Sequence, residues 1–207
     1  MFCPIRKIIF THPPKCGGTS FEHFLGFKNY GEHCFLYKHA SLIDHIKAIR
    51  KINQNTDDFA KISIIRNPWE RMVSWYFNLR EKALFAEKFG KPKNRIQSIA
   101  SELEFNEFIN YIDRFNIRIF HRDFSYYMFG EVGALEIDFI IRYENYQADF
   151  IRALEILKVP TIDPSLIPKK NQGTNSSQNY KIFYSEKSKK IISNIYAADI
   201  DFFKYTF

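Results

Sequence analysis

Lys7-Ile8-Ile9-Phe10-Thr11-His12-Pro13-Pro14-Lys15-Cys16-Gly17-Gly18-Thr19-Ser20-Phe21 is the stretch whose reading decides the fold. A β-rich run over 7–11 stops at two prolines, which cannot donate to a strand ladder. A glycine turn follows, and then Phe21, Phe24 and Leu25 recur at helical spacing. Strand, glycine turn and helix in that order offer an anion the backbone N–H groups of a helix start. Gly17 and Gly18 let the chain approach such a ligand, Thr19 and Ser20 add hydroxyls, and Lys15 adds a mobile positive charge. The lysine precedes the glycines, so this is not the Walker A order G-x-x-x-x-G-K-[ST]. Taken alone, Gly-Gly-Thr-Ser fits a plain turn with a solvated lysine equally well.

The next strand candidate, Ala60–Ile65, ends in Arg66-Asn67-Pro68, and Pro68 suits the first turn of a helix through 69–82 or beyond. Arg66 at the strand exit has the fork to grip a phosphate with two parallel hydrogen bonds. Ser74 lies about two turns into that helix. The plainer readings are a strand-end salt bridge for Arg66 and an ordinary helix-surface serine for Ser74. Trp75 and Tyr76 read as core.

Between these motifs, Leu42, Ile43, Ile46 and Ile49 follow a helical period, and Ser41 with Asp44 has the spacing of a capping box. Further on, 88–98 reads as a basic loop, 103–115 as a helix, 137–141 as an apolar strand and 147–157 as a helix. A polar loop over 160–179 and a final helix over 185–196 complete the chain. Strands alternating with helices predict an α/β fold, a central parallel sheet flanked by helices in a single domain spanning 1–207. Ligands of such sheets sit beyond the carboxyl ends of the strands, where both the Lys15 turn and Arg66 fall.

The bulk properties agree. The 207 residues include 22 Phe and 12 Tyr, enough for a real core, and a net charge of +7 favours an anionic partner. Cys3, Cys16 and Cys34 form neither a disulfide framework nor a zinc pattern, and free thiols point to a reducing, cytoplasmic setting. No stretch approaches 18 uncharged apolar residues, so no transmembrane segment is expected.

The two motifs together resemble the PAPS-dependent sulfotransferases. Pro14 to Ser20 is similar to their 5′-phosphosulfate loop, and Arg66 to Ser74 to their 3′-phosphate segment. The similarity is strongest to the group containing heparan sulfate 2-O-sulfotransferase and small bacterial carbohydrate sulfotransferases. Arg142-Tyr143-Glu144 and the closing segment from Asp199 to Phe207 also fit that group, whereas about 80–135 carries no matching motif. The resemblance implies the P-loop-kinase-like sulfotransferase fold, with PAPS as co-substrate and no metal requirement. It implies that Lys15 meets the bridging and sulfuryl oxygens, while Cys16, Gly17, Gly18, Thr19 and Ser20 cradle the 5′-phosphate. Arg66 and Ser74 then hold the 3′-phosphate, and the 169–177 loop, with Asn171, Gly173 and Thr174, closes over the nucleotide. Cys16 replaces the family's usual threonine, which removes a hydroxyl but keeps the backbone donor, and Pro13 is unusual for its position. The implied partner is an acceptor with a free hydroxyl, a glycan that is neutral or anionic.

Sulfuryl transfer resembles phosphoryl transfer, with in-line attack and charge building on the leaving oxygen. The acceptor hydroxyl needs a base suited to neutral pH, for which histidine fits best. His39-Ala40-Ser41-Leu42-Ile43-Asp44 resembles the catalytic-histidine segment of the 2-O-sulfotransferases, so Lys15 and His39 are the expected catalytic pair. A local packing or capping role is the plainer reading of His39. His33 is the runner-up, and the counterpart of His12 looks structural. His23 and His45 read as ordinary helix histidines, His121 sits among arginines, and Glu22 or Glu32 would serve if no histidine does. Three other readings stay open: a P-loop-type kinase, disfavoured by the lysine position and by Asp138 falling within a strand; a nucleotide-binding protein without chemistry; and a nucleic-acid module touching phosphates through the basic loop. Nucleic acid is not the expected partner.

Overall fold

A computed structural model of the chain describes residues 1–25, 39–159 and 179–207. Glu32, His33, Cys34 and the 169–177 loop with Asn171, Gly173 and Thr174 lie outside the described residues. In chain order the elements are β1 (Phe2–Cys3), β2 (Ile8–Thr11), α1 (Gly18–Phe24), α2 (Leu42–Lys51), β3 (Ala60–Ile65), α3 (Pro68–Lys88) and α4 (Arg95–Glu102). Then come α5 (Phe105–Arg114), α6 (Ser125–Met128), β4 (Phe139–Arg142), α7 (Tyr146–Ile156), α8 (Glu186–Ile195) and α9 (Ala197–Phe203). They form two compact units, Met1–Arg66 with Phe124–Asn171, and Asn67–Asp123 with Gln172–Phe207.

The first unit holds the sheet, in the order β1-β2-β3-β4. The pair β2/β3 and the pair β3/β4 are parallel, and the two-residue β1 pairs antiparallel at the edge. Successive side chains of β2 point to opposite faces. Ile9 joins Phe2, Leu42, Ile46 and Ile49 on the α2 side. Phe10 meets Phe21 of α1, ring centres 4.6 Å apart, and Phe21 meets Phe150 of α7 at 4.9 Å. Apolar side chains are thus needed on both faces, which is why Ile8-Ile9-Phe10 and Ile62, Ile64 and Ile65 read as nearly unbroken apolar runs. Each such buried side chain contributes about 1.5–3 kcal/mol. The expected class, an α/β fold with a mostly parallel sheet flanked by helices, is the one observed.

Helix starts follow their caps. Ser41 and Asp44 form the expected reciprocal capping box at α2. Asn67 caps α3 with Pro68 behind it, its side-chain oxygen accepting from the Trp69 and Glu70 N–H groups. Three expectations need correction. The basic loop is shorter than 88–98, because Lys88 still belongs to α3 and an Asn94–Gln97 capping box starts α4 at Arg95. The third parallel strand starts at Phe139, two residues later than expected, and ends at Arg142, and Asp138 precedes it, accepting from the Lys61 N–H at 2.7 Å. The helix over 185–196 is not the last, since α9 follows it. Edge strand β1 went unforeseen.

The second unit is helical. Trp75 and Tyr76 are core, as expected, packed with Phe108 and Phe120. Arg71, itself buried, lies with its guanidinium 4.6 Å from the Tyr196 ring centre. The closing segment binds the start of α3, where the Asn67 amide donates to the Thr206 carbonyl at 2.9 Å and Trp69 meets Phe207 edge-on.

Candidate functional site

Strand register gathers the site within the first unit. Thr11 pairs with Ser63 and Ile65 pairs with Arg142, so the residues after β2, β3 and β4 emerge at one sheet edge. The Ser63 hydroxyl ties that edge, donating to the Thr11 carbonyl at 3.0 Å.

The turn after β2 is built tightly. Lys15 adopts a left-handed backbone (φ 68°), rare for a residue with a side chain, and Gly17 follows at φ 85° as the cap of α1. A Cβ on Gly17 would stand 3.0 Å from the Tyr143 ring, and one on Gly18 would strike the His12 ring at 2.4 Å. Both glycines are therefore sterically demanded. Gly18, Thr19 and Ser20 form the first turn of α1, with Thr19 half-buried and Ser20 buried. Cys16 is buried, its thiol toward the Pro14 carbonyl at 3.8 Å.

Arg66 joins the turn. Its Nη1 donates to the Lys15 carbonyl at 3.1 Å, and its guanidinium lies 4.1 Å from the Tyr143 ring centre. Tyr146, one helical step on, is largely buried, and this burial holds its hydroxyl pKa well above the ordinary value, offset only in part by the Ser20 side chain. Sequence reading singled out Arg142-Tyr143-Glu144 but gave Tyr143 no task; an aromatic just after a strand exit was the signal. Ser74 lies half-buried on α3, in the second unit.

His39 falls beside the turn. It too is left-handed (φ 68°) and half-buried, with Nδ1 3.0 Å from the His12 carbonyl oxygen. A carbonyl only accepts, so this bond requires the proton on Nδ1. The His12 ring stands edge-on to His39, centres 4.5 Å apart, and its Nε2 is 2.8 Å from the Glu22 carboxylate. Glu22, weighed as a substitute base, is instead buried against His12. His23 is exposed on α1, His45 is fully buried on α2, and His121 is half-buried with Nδ1 3.1 Å from the Ile117 carbonyl oxygen. Lys15 and His39 are two of the seven left-handed non-glycine residues among the described residues.

Among the described residues no cluster of His, Cys, Asp or Glu has the grouping of a metal site, and no helix is long and apolar enough to cross a membrane. Asp138 enters β4 rather than leaving it, so it is not the strand-exit carboxylate of a P-loop kinase.

A family model described as the sulfotransferase family matches residues 1–206. No curated protein and no solved structure matches the chain. Because the family match runs along nearly the whole sequence rather than the glycine turn alone, the chain belongs to the sulfotransferase family, enzymes that move a sulfuryl group onto a hydroxyl-bearing acceptor.

Proposed function

We propose that the protein transfers the sulfuryl group of PAPS to a carbohydrate hydroxyl by in-line displacement, with His39 as general base. The observation that carries this reading is the bond from His39 Nδ1 to the His12 carbonyl, which holds the imidazole beside the glycine turn. The residues present suit the nucleotide: Arg66 is buried with its guanidinium over the Tyr143 ring, and Gly17 leads directly into the N-terminus of α1. PAPS, when bound, supplies the activated sulfuryl group. Lys15 and the N–H groups heading α1 stabilise the negative charge that grows on the leaving phosphate oxygen. His39 Nε2 takes the proton of the attacking hydroxyl. Arg66 grips the 3′-phosphate, and Ser74 and the 169–177 loop have the nucleotide contacts their sequence resemblance gives them. Residues 1–207 act as one catalytic domain, a reading in line with the family match over 1–206. The carbohydrate acceptor rests on the sequence resemblance and on the net charge of +7, and a cytoplasmic setting on the buried cysteines Cys3 and Cys16, neither of which is in a disulfide.

Isothermal titration with PAP, the desulfated product, tests the nucleotide site. PAP is expected to bind the wild type in the micromolar range with ATP weak. Arg66→Ala should weaken PAP roughly 10- to 100-fold, the worth of a charge-assisted hydrogen bond of about 1.5–3 kcal/mol. Preference for ATP with magnesium would overturn the reading.

A further inference from the structure

Tyr143, the residue after β4, has no part in the chemistry of transfer, yet its ring touches both halves of the site. It is buried, and the turn that carries it is pinned on either side by Asp149 of α7. One Asp149 oxygen accepts from the Arg142 N–H at 2.8 Å, and the other accepts from the Asn145 side-chain amide at 2.9 Å. The ring face carries the Arg66 guanidinium, 4.1 Å from the ring centre. The ring edge bears on the glycine turn, since a Cβ on Gly17 would stand 3.0 Å from Tyr143 Cδ2 and 3.1 Å from Cε2. Tyr146 braces the ring from α7, with centres 6.2 Å apart. A further contact closes the circuit: Arg66 Nη1 donates to the carbonyl of Lys15, two residues before Gly17.

We propose that Tyr143 is a positioning residue that sets the spacing between Arg66 and the glycine turn, and thereby makes the site select nucleotides phosphorylated at both the 3′ and the 5′ position. An arginine has many rotamers, and a fork meant for a phosphate serves in few of them. An aromatic face attracts a guanidinium most strongly where water is excluded, and Arg66 is only 5% exposed. The Lys15 carbonyl then fixes how the guanidinium is turned over that face. Because the same ring bears on Gly17, one rigid group is the common reference for both grips. Tyr143 touches neither phosphate in this scheme; it acts through Arg66. The inference rests on the proposed function in one respect, that Arg66 holds the 3′-phosphate.

The test is calorimetric titration with PAP and with adenosine 5′-monophosphate, which differ only by the 3′-phosphate. Wild type should prefer PAP. Tyr143→Leu keeps apolar bulk beside Gly17 but removes the ring face. It should weaken PAP about 5- to 30-fold, the worth of a desolvated cation–π contact, and the monophosphate by less than about threefold. Tyr143→Phe restores the face and should bind PAP within about threefold of wild type. In an Arg66→Ala background, Tyr143→Leu should add less than about threefold, because the two residues act as one unit. Tyr143→Met takes the place of Tyr143→Leu if that variant does not fold. Equal losses for both nucleotides in Tyr143→Leu, a full further loss on top of Arg66→Ala, or a Tyr143→Phe defect as large as that of Tyr143→Leu would each overturn the inference. Wild-type protein that binds PAP no tighter than the monophosphate would instead overturn the assignment of Arg66 to the 3′-phosphate, and the inference with it.

Discussion

At the exit of β2, His12 is buried against a carboxylate; on α2, His45 is buried against hydrocarbon. The Nδ1 of His45 donates to the Ser41 carbonyl at 2.6 Å, and its ring stands edge-on to Phe2. Its Nε2 has no hydrogen-bond partner among the described residues. Burial, reinforced by the positive N-terminal amine, lowers the His45 pKa from 6.5 to about 3. Two imidazoles in one unit, both with almost no exposure, therefore meet burial in different ways. One is held by an acidic partner and stands beside His39 and the glycine turn. The other stays neutral and packs as an aromatic. Equal depth therefore hides two different environments, told apart by the partner at each ring nitrogen.

The largest expected effect breaks this comparison at its functional side. His39→Ala should lower kcat by about 10²- to 10⁴-fold, the usual worth of a general base, with PAP affinity within a few-fold of wild type and Tm little changed. Loss of nucleotide binding in parallel with turnover would show that His39 builds the turn rather than serving the reaction.

Next comes the scaffold side, read as stability against pH. A depressed folded pKa means that the unfolded chain binds the extra proton first. The contribution of neutral His45 is thus fully present above about 6.5 and is lost as pH falls toward 3. The full gap corresponds to roughly 4–5 kcal/mol as an upper bound, at about 1.4 kcal/mol per pH unit. His45→Leu removes the unpaired nitrogen and should flatten the fall in denaturant midpoint between about pH 6.5 and 4 while leaving turnover near wild type. An unchanged acid slope would mean that His45 is not the titrating group.

Much of this was legible because it is local. The Ser41–Asp44 capping box, Pro68 at a helix start and the apolar run Ala60–Ile65 each carry their own signal within a few residues. The Asn94–Gln97 box carried one too, but it was hidden by the run of positive charge in which it sits. At the site, Lys15, the glycines and Arg66 could be grouped because strand exits in a parallel sheet share an edge. Glu22 as the partner of His12, Tyr143 beneath Arg66 and the His12 carbonyl as the partner of His39 join residues 10, 77 and 27 apart. No short-range pattern encodes such pairings; they exist only once the strands are in register.

Gly18→Ala sharpens the comparison by forcing the His12 ring to move. The added Cβ would stand 2.4 Å from the ring, and its neighbours Phe10 and Glu22 limit the retreat. Overpacking of this kind costs about 1–3 kcal/mol. The expected result is a lower denaturant midpoint together with weakened PAP binding, since ring and turn must separate. A stable Gly18→Ala protein with normal PAP affinity would mean that the ring has more freedom than its contacts imply.

The smallest effect comes from the far end of α2, where the same helix that buries His45 exposes Arg50. Its guanidinium donates to Glu131 at 2.6 Å, but the two side chains are 57% and 39% exposed. Water screens such a pair and holding both long side chains costs entropy, so Arg50→Ala should cost less than about 1 kcal/mol. High salt should erase even that difference, because the Debye length shrinks to about 3 Å at 1 M. The acid slope of stability must also survive in Arg50→Ala, since nothing in this pair touches His45. A loss above about 1 kcal/mol that persisted in salt would show that Arg50 acts by packing its aliphatic stem rather than by its charge.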